Sequence, residues 1–306
     1  MTTSSAPVTA YVFPGQGSQY VGMGQELTRL RPVARGIFVR ADAALGFPLS
    51  TLCFEGPDSE LNDTLNTQPA IFTHSMAALE TLHLSGEIDP PACVAGHSLG
   101  ELSALCAAGA LSFEDGIRIV RERGRLMKLA GERAPGSMAA VLGLSAAVLS
   151  EVCAQVSAQQ QPPVVLANDN CPGQIVISGG KEAVAAAGVL AKQKGAKRVA
   201  PLPVSIAAHS PLMSSIADDF AAVIQATRIE PAQIPVIANT TARPITHPDD
   251  IRAELCAQLT SPVRWTDSVK AMAAQNVTQY IEVGPKDVLC NLIKRIVEGP
   301  TLRAIG

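Results

Sequence analysis

The chain has 306 residues, 47% of them hydrophobic and 17% charged, which suits a large α/β domain with a full core and excludes a disordered chain. A net charge of −3 and a pI near 6.0 argue against nucleic acid, and no apolar run approaches the ~18 residues of a membrane span. The seven cysteines are scattered, odd in number and without a Cys-x-x-Cys pair, so reduced thiols, a cytoplasmic protein and no metal site are expected.

In chain order, Met1-Thr2-Thr3-Ser4-Ser5 has neither the basic region nor the apolar core of a signal peptide. Thr9–Phe13 reads as a first strand and ends in Pro14-Gly15-Gln16-Gly17-Ser18-Gln19. Gly15 and Gly17 allow backbone to approach a ligand, but a dinucleotide loop needs a third glycine where Tyr20 stands. The turn is therefore either a plain strand-to-helix connection or a place where the Gln16 amide serves an oxyanion. Helical periodicity over 23–45 is broken by Pro32. Gln68-Pro69-Ala70 leads into a long helix, predicted over 69–84 with Pro69 in its first turn. His74 and His83 belong to no motif and read as packing or surface histidines.

Residues 92–109 hold the strongest local signal. A short apolar run enters Gly96-His97-Ser98-Leu99-Gly100-Glu101, and a helical pattern through Leu102, Leu105 and Cys106 follows. Strand, glycine, serine, glycine, helix is the layout of a nucleophile elbow. Ser98 would sit in a strained turn, its hydroxyl at the positive end of the helix, where backbone amides can hold an oxyanion. The next helix, predicted over 113–130, opens with Ser112 and Asp115 as a capping box. Arg118, Arg121 and Arg125 share a solvated face with Glu114 and Glu122. Arg123 falls instead with Ile119, Val120, Met127 and Ala130, on the apolar side. An inward arginine needs an anionic partner, either a structural salt bridge or a substrate carboxylate held by its planar fork.

Residues 133–136 read as a linker, followed by a strand at 138–141 and a helix at 145–157. Strands at 164–167 and 174–178 flank Asn168-Asp169-Asn170-Cys171-Pro172-Gly173, and a helix at 181–194 leads to a strand at 198–204. The order βαββαβ is a ferredoxin-like unit, so a small domain at 135–203 is expected inside a large α/β domain made of 1–134 and 204–306. His209 then ends a β-like stretch ahead of a helix, as one of only five histidines, and is a candidate base for Ser98. The tail alternates a strand near 236–238, helices near 248–259 and 266–275, the strand Gln279–Val283 and a last helix at 287–297, implying a parallel core sheet.

Taken together these residues resemble the malonyl-CoA:acyl-carrier-protein transacylase family. The resemblance is carried by Phe13 to Gln19, by Gly96 to Glu101, by Glu122-Arg123-Gly124-Arg125-Leu126-Met127 and by Asn168 and Asn170 with Pro172-Gly173-Gln174. It continues through His209-Ser210-Pro211-Leu212-Met213, Gln258 ahead of Pro262-Val263-Arg264-Trp265, and Glu282-Val283-Gly284-Pro285. The resemblance implies an α/β fold with a large hydrolase-like parallel-sheet domain and the ferredoxin-like insertion. It implies Ser98 as nucleophile, His209 as base, Gln16 and Leu99 as oxyanion donors, and a main-chain group of Gln258 orienting His209. Arg123 would bind the malonyl carboxylate, with His97, Gln68 and Asn168 shaping the substrate pocket. The expected partners are malonyl-CoA, whose coenzyme A thioester is a substrate, and a holo acyl carrier protein. No permanently bound cofactor, nucleic acid or membrane is expected, and the chain is expected to be a monomer.

Ala208 stands before His209 where some malonyl-selective relatives carry a bulky aromatic, leaving room for a 2-alkyl branch, whereas Leu99 is more usual in malonyl-type members. Two other readings compete. A serine thioesterase would use Asp169 as the acid of a Ser98–Asp169–His209 triad. A non-catalytic docking subunit would present Lys192, Lys194, Lys197 and Arg198 to a carrier protein.

Overall fold

The computed structural model describes residues 7–86 and 90–306. From the N-terminus the elements are β1 (Thr9–Phe13), α1 (Gln25–Leu30), α2 (Pro32–Leu45), α3 (Leu49–Glu55), α4 (Asp58–Leu61) and α5 (Thr64–Ser85). Next come β2 (Cys93–Gly96), α6 (Gly100–Ala107), α7 (Phe113–Arg133), β3 (Gly136–Leu142), α8 (Ala146–Ser157), β4 (Val164–Cys171), β5 (Gln174–Gly180), α9 (Lys181–Gln193) and β6 (Arg198–Pro201). A 3₁₀ turn (Pro211–Ile216) precedes α10 (Ala217–Ala226), β7 (Val236–Ile237), β8 (Pro244–Ile245), α11 (Pro248–Gln258), α12 (Trp265–Ala274), β9 (Gln279–Val283), α13 (Val288–Ile293) and β10 (Thr301–Ile305).

β1, β2 and β9 are buried almost end to end because helices cover both faces of their sheet. That sheet has six strands in the order β10-β9-β1-β2-β7-β8, parallel throughout except for β8 against β7. Alternation along β1 divides the core: Tyr11 and Phe13 pack with α2, α5 and α7, whereas Ala10 and Val12 pack with Trp265, Val269 and Met272 of α12. The second sheet is antiparallel, in the order β4-β5-β3-β6, which is the ferredoxin-like arrangement. Helices α8 and α9 close one of its faces over Val141, Leu149, Val152 and Ile177. Its other face puts Met138, Ala167 and Val176 against Leu202, Val204 and Ala208. A bridge from β4 to the segment before α12 ties the two sheets, with the Asp169 amide donating to Val263 O at 2.9 Å and the Val263 amide to Ala167 O at 2.8 Å.

Several elements depart from the expected boundaries. Helix α5 starts five residues early, at Thr64, where the Asp63 carboxylate accepts from the Leu65 amide at 3.0 Å. Pro69 therefore lies inside it and leaves Leu65 O without its helical donor; Arg121 Nη1 fills that place at 2.8 Å. Arg121 is accordingly half-buried, while Arg118 and Arg125 pair with Asp115 and Glu122 on the exposed face. The expected linker at 133–136 narrows to Ala134 and Pro135, between the end of α7 and the start of β3. The stretch from Asn168 to Cys171 belongs to β4, with register shifts on either side of Asn168 and Asp169. β6 stops at Pro201, so 202–209 is irregular and the expected strand before His209 is absent. The last helix is confined to Val288–Ile293, and β10 adds an edge strand.

Backbone crossing fixes how the ends of β1 and β2 meet. The ladder pairs Phe13 with Gly96, and the His97 amide donates to Phe13 O at 3.0 Å. A Cβ on Gly100 would fall 2.1 Å from Phe13 O, and one on Gly15 would fall 2.5 Å from His97 O. Among the described residues no helix is long and apolar enough to cross a membrane. Gly100→Ala tests the crossing, because an uncrowded helical glycine gains about 1 kcal/mol on becoming alanine. Here the expected change is a loss of about 2–3 kcal/mol by urea denaturation; a gain would show that the strand ends are not in contact.

Candidate active site

The turn after β2 is held by sterics and by one asparagine. Ser98 has φ 53°, a conformation costly for a side-chain-bearing residue. A Cβ on Gly96 would lie 1.9 Å from the Gly100 carbonyl, so the turn closes only on glycine. Asn239, just beyond β7, clamps it from the neighbouring strand. Its Oδ1 accepts from the Ser98 amide at 2.7 Å, and its Nδ2 donates to Gly96 O at 2.7 Å. Asn239 was not among the residues singled out from sequence. Its signal is slight: one polar residue at the carboxyl end of a two-residue strand.

Ser98 Oγ lies 2.8 Å from His209 Nε2. His209 is 3% exposed and also left-handed, at φ 58°. Its Nδ1–H donates to two main-chain carbonyls, Gln258 O at 2.9 Å and Ser261 O at 3.1 Å. With Nδ1 the donor, Nε2 keeps its lone pair for the serine hydroxyl. Burial, and then the positive charge of Arg123, bring the imidazole pKa down to about 3, against the opposing pull of the two carbonyls. Among the described residues no carboxylate completes a triad. Asp169, the acid of the thioesterase reading, instead accepts from Thr266 Oγ1 at 2.8 Å.

Arg123 is fully inside, 1% exposed. Nη1 donates to Gln68 Oε1 at 2.9 Å and to Met127 Sδ at 3.3 Å; Nη2 donates to Gln258 Oε1 at 2.9 Å and to Ser98 Oγ at 3.2 Å. Nε has no hydrogen-bond partner among the described residues. Burial lowers its pKa to about 10, which leaves it a cation at neutral pH. All its direct acceptors are neutral; the nearby carboxylate of Glu101 acts from behind Gln258. The result is a buried guanidinium beside the serine oxygen, ready for an anion.

These groups face a cavity of about 490 Å³, walled by the turn after β1, the elbow, α7, the second sheet and residues 202–208. Gln16, His97, Leu99 and Asn168 line it along with Ser98, Arg123 and His209. Gln16 is steadied by its Nε2, which donates to Thr64 Oγ1 at 3.1 Å. Leu99 is the residue before α6, and the next three amides, of Gly100, Glu101 and Leu102, are already bonded to His97 O, Ser98 O and Leu99 O. His97 Nε2 is 2.8 Å from Asn170 Oδ1 and meets the Trp265 ring edge-on. Gln68 and Gln258 stand behind the guanidinium. Among the described residues no group of His, Cys, Asp and Glu is placed to hold a metal ion. Chemically the arrangement offers a hydroxyl, a neutral acceptor for its proton and a cation for an acidic substrate.

The acyl transferase domain family matches residues 10–305. The malonyl CoA-acyl carrier protein transacylase of Bacillus subtilis is 48% identical over 287 residues, covering 94% of this chain and 90% of that protein. The crystal structure of an acyl carrier protein S-malonyltransferase from Vibrio cholerae superposes with a TM-score of 0.94 at 43% identity, over 98% of this chain and 97% of that one. A malonyl-transacylase in complex with a holo type II PKS acyl-carrier protein superposes with a TM-score of 0.93 at 41% identity, over 97% and 95% of the two chains. With its fold and nearly its whole length in common with these proteins, the chain belongs to the malonyl-CoA:acyl carrier protein transacylases of the acyl transferase domain family.

Proposed function

We propose that the protein moves a malonyl group from coenzyme A to the phosphopantetheine thiol of an acyl carrier protein through a malonyl-Ser98 ester. The observation that carries this reading is the buried Arg123 guanidinium, 3.2 Å from Ser98 Oγ and bonded only to neutral acceptors. In the first half-reaction His209 Nε2 takes the Ser98 proton as Oγ bonds to the thioester carbon. The amides of Gln16 and Leu99 hold the oxyanion. The C–S bond then breaks, and the coenzyme A sulfur leaves with the proton from His209. The malonyl carboxylate meanwhile pairs with Arg123, with Gln68 and Gln258 keeping the fork in place and His97 and Asn168 shaping the cavity. The carrier thiol gives its proton to His209, attacks the ester and restores Ser98 by the same steps in reverse.

Coenzyme A is thus a substrate, and no permanent cofactor takes part. We read 1–134 and 204–306 as the catalytic body and 135–203 as an inserted one, supported by the separate hydrophobic core under α8 and α9. The protein works as a cytoplasmic monomer. Seven free cysteines support the compartment. Exposed large apolar side chains scattered over separate elements, such as Leu30, Leu84 and Val189, support the monomer.

Intact-protein mass spectrometry tests the cycle. Mixing with malonyl-CoA should add one malonyl group at Ser98, which should persist in water and leave on addition of holo carrier; Ser98→Ala should show no adduct. Release to water as fast as to carrier would make the protein a hydrolase. Arg123→Ala should lose malonyl loading by about a hundredfold or more, the cost of removing one partner of a buried charge pair, while acetyl loading is kept or rises. Equal loss of both acyl groups would assign Arg123 to structure alone. Because His209 stays neutral down to about pH 3 in the free protein, kcat/KM for Ser98 acylation should be flat from pH 7 to pH 5. A decline centred on an ordinary histidine pKa would show that the imidazole is not held neutral.

A further inference from the structure

A second layer of hydrogen bonds lies behind Arg123 and takes no part in the steps above. Glu101, in the first turn of α6, is fully buried. Its Oε1 accepts from the Asn239 amide at 2.9 Å, and its Oε2 accepts from Gln258 Nε2. A second buried carboxyl, Glu254 of α11, bonds to Glu101 and accepts from the Thr240 amide at 2.8 Å and from its hydroxyl. Burial raises the pKa of both groups, and the neighbouring Glu254 raises that of Glu101 further. Both Glu101 oxygens act as acceptors toward N–H groups, one from the Asn239 main chain and one from the Gln258 side chain.

The side-chain amide of Gln258 has one donating end and one accepting end. Its Nε2 is committed to Glu101 and to Ser98 O, the latter at 3.0 Å. Its Oε1 is therefore turned to Arg123, accepting from Nη2 at 2.9 Å. We infer that Glu101 is a positioning residue for acyl-group selection: it fixes which end of the Gln258 amide meets Arg123 and so aims the guanidinium at the cavity beside Ser98. The inference rests on the reading of Arg123 as the carboxylate-binding group. An amide of the same shape cannot replace Glu101. Glutamine has a single accepting end, and the Asn239 amide belongs to the backbone and cannot turn away. The Gln258 amide can turn. It would then present Nε2 to Arg123, donor against donor, and lose its bond to Ser98 O.

The test compares Ser98 loading from malonyl-CoA and from acetyl-CoA, as the ratio of the two kcat/KM values, in wild type, Glu101→Gln and Gln258→Met. Thermal midpoints are measured alongside. Gln258→Met keeps the volume and the main-chain carbonyl that serves His209 but cannot accept from Arg123. Both variants are expected to lower the malonyl-to-acetyl ratio by about tenfold, and the double variant by no more than either alone, since they cut one chain of bonds. A folded Glu101→Gln with the wild-type ratio overturns the inference, as does a double variant whose effects add. Should Glu101→Gln fail to fold, a Gln258→Met protein with the wild-type ratio overturns it equally. If wild type forms no malonyl ester, the transferase reading itself fails. If wild type loads malonyl and the variants keep its ratio, only the role of Glu101 falls.

Discussion

The site depends on one backbone constraint, the left-handed turn at Ser98. A non-glycine residue there stores strain of about 1–3 kcal/mol, and the surroundings must over-determine it. They do so from three directions. Gly96 and Gly100 remove the Cβ atoms that would collide inside the turn and with Phe13. Asn239 bonds to both sides of the turn from β7, and the His97 amide extends the β1 ladder into it. The sheet thus sets where the serine Cα–Cβ bond points, and the bonds to His209 and Arg123 hold its oxygen there.

Electrostatics builds outward from that oxygen. A cation and an imidazole share the same dry space, and the cation helps keep the imidazole unprotonated. Glu101 balances the guanidinium without touching it, because Gln258 stands between them. A carboxylate in direct contact would close the fork and leave nothing for an incoming anion. The separation costs a buried charge its best partner, and the amides of Gln68 and Gln258 return part of that cost.

Much of this was readable from the chain because the signals were local. The elbow is a steric statement about five consecutive residues, and the inward turn of Arg123 follows from its place among Ile119, Val120, Met127 and Ala130. The βαββαβ order of the second sheet follows from alternating patterns alone. What escaped was non-local or compensated at a distance. Asn239 acts on Ser98 across 141 residues with nothing nearby to mark it, and Glu101, although it closes the elbow motif, finds its partners 138 and 157 residues away. Pro69 suggested a helix start, yet Arg121, from another helix, serves the carbonyl the proline deserts. Residues 202, 204 and 206 alternate as a strand would, but Pro201 and Pro203 deny the ladder two donors. β10 is exposed along most of its length, so no apolar run announces it.

The two carbonyls on His209 Nδ1 bear on the direction of the chemistry. A carboxylate in their place would make the imidazolium a resting point, a well from which the proton climbs out. Neutral oxygens orient the ring while giving its charged form only dipolar support. In the proposed cycle the proton therefore passes through the ring without lodging there, and the slope toward either sulfur is shallow. Exchanging one thioester for another changes little free energy, so such a site runs as readily backward as forward. The relative supply of acyl-coenzyme A and empty carrier, more than the protein, then decides which way the acyl group flows.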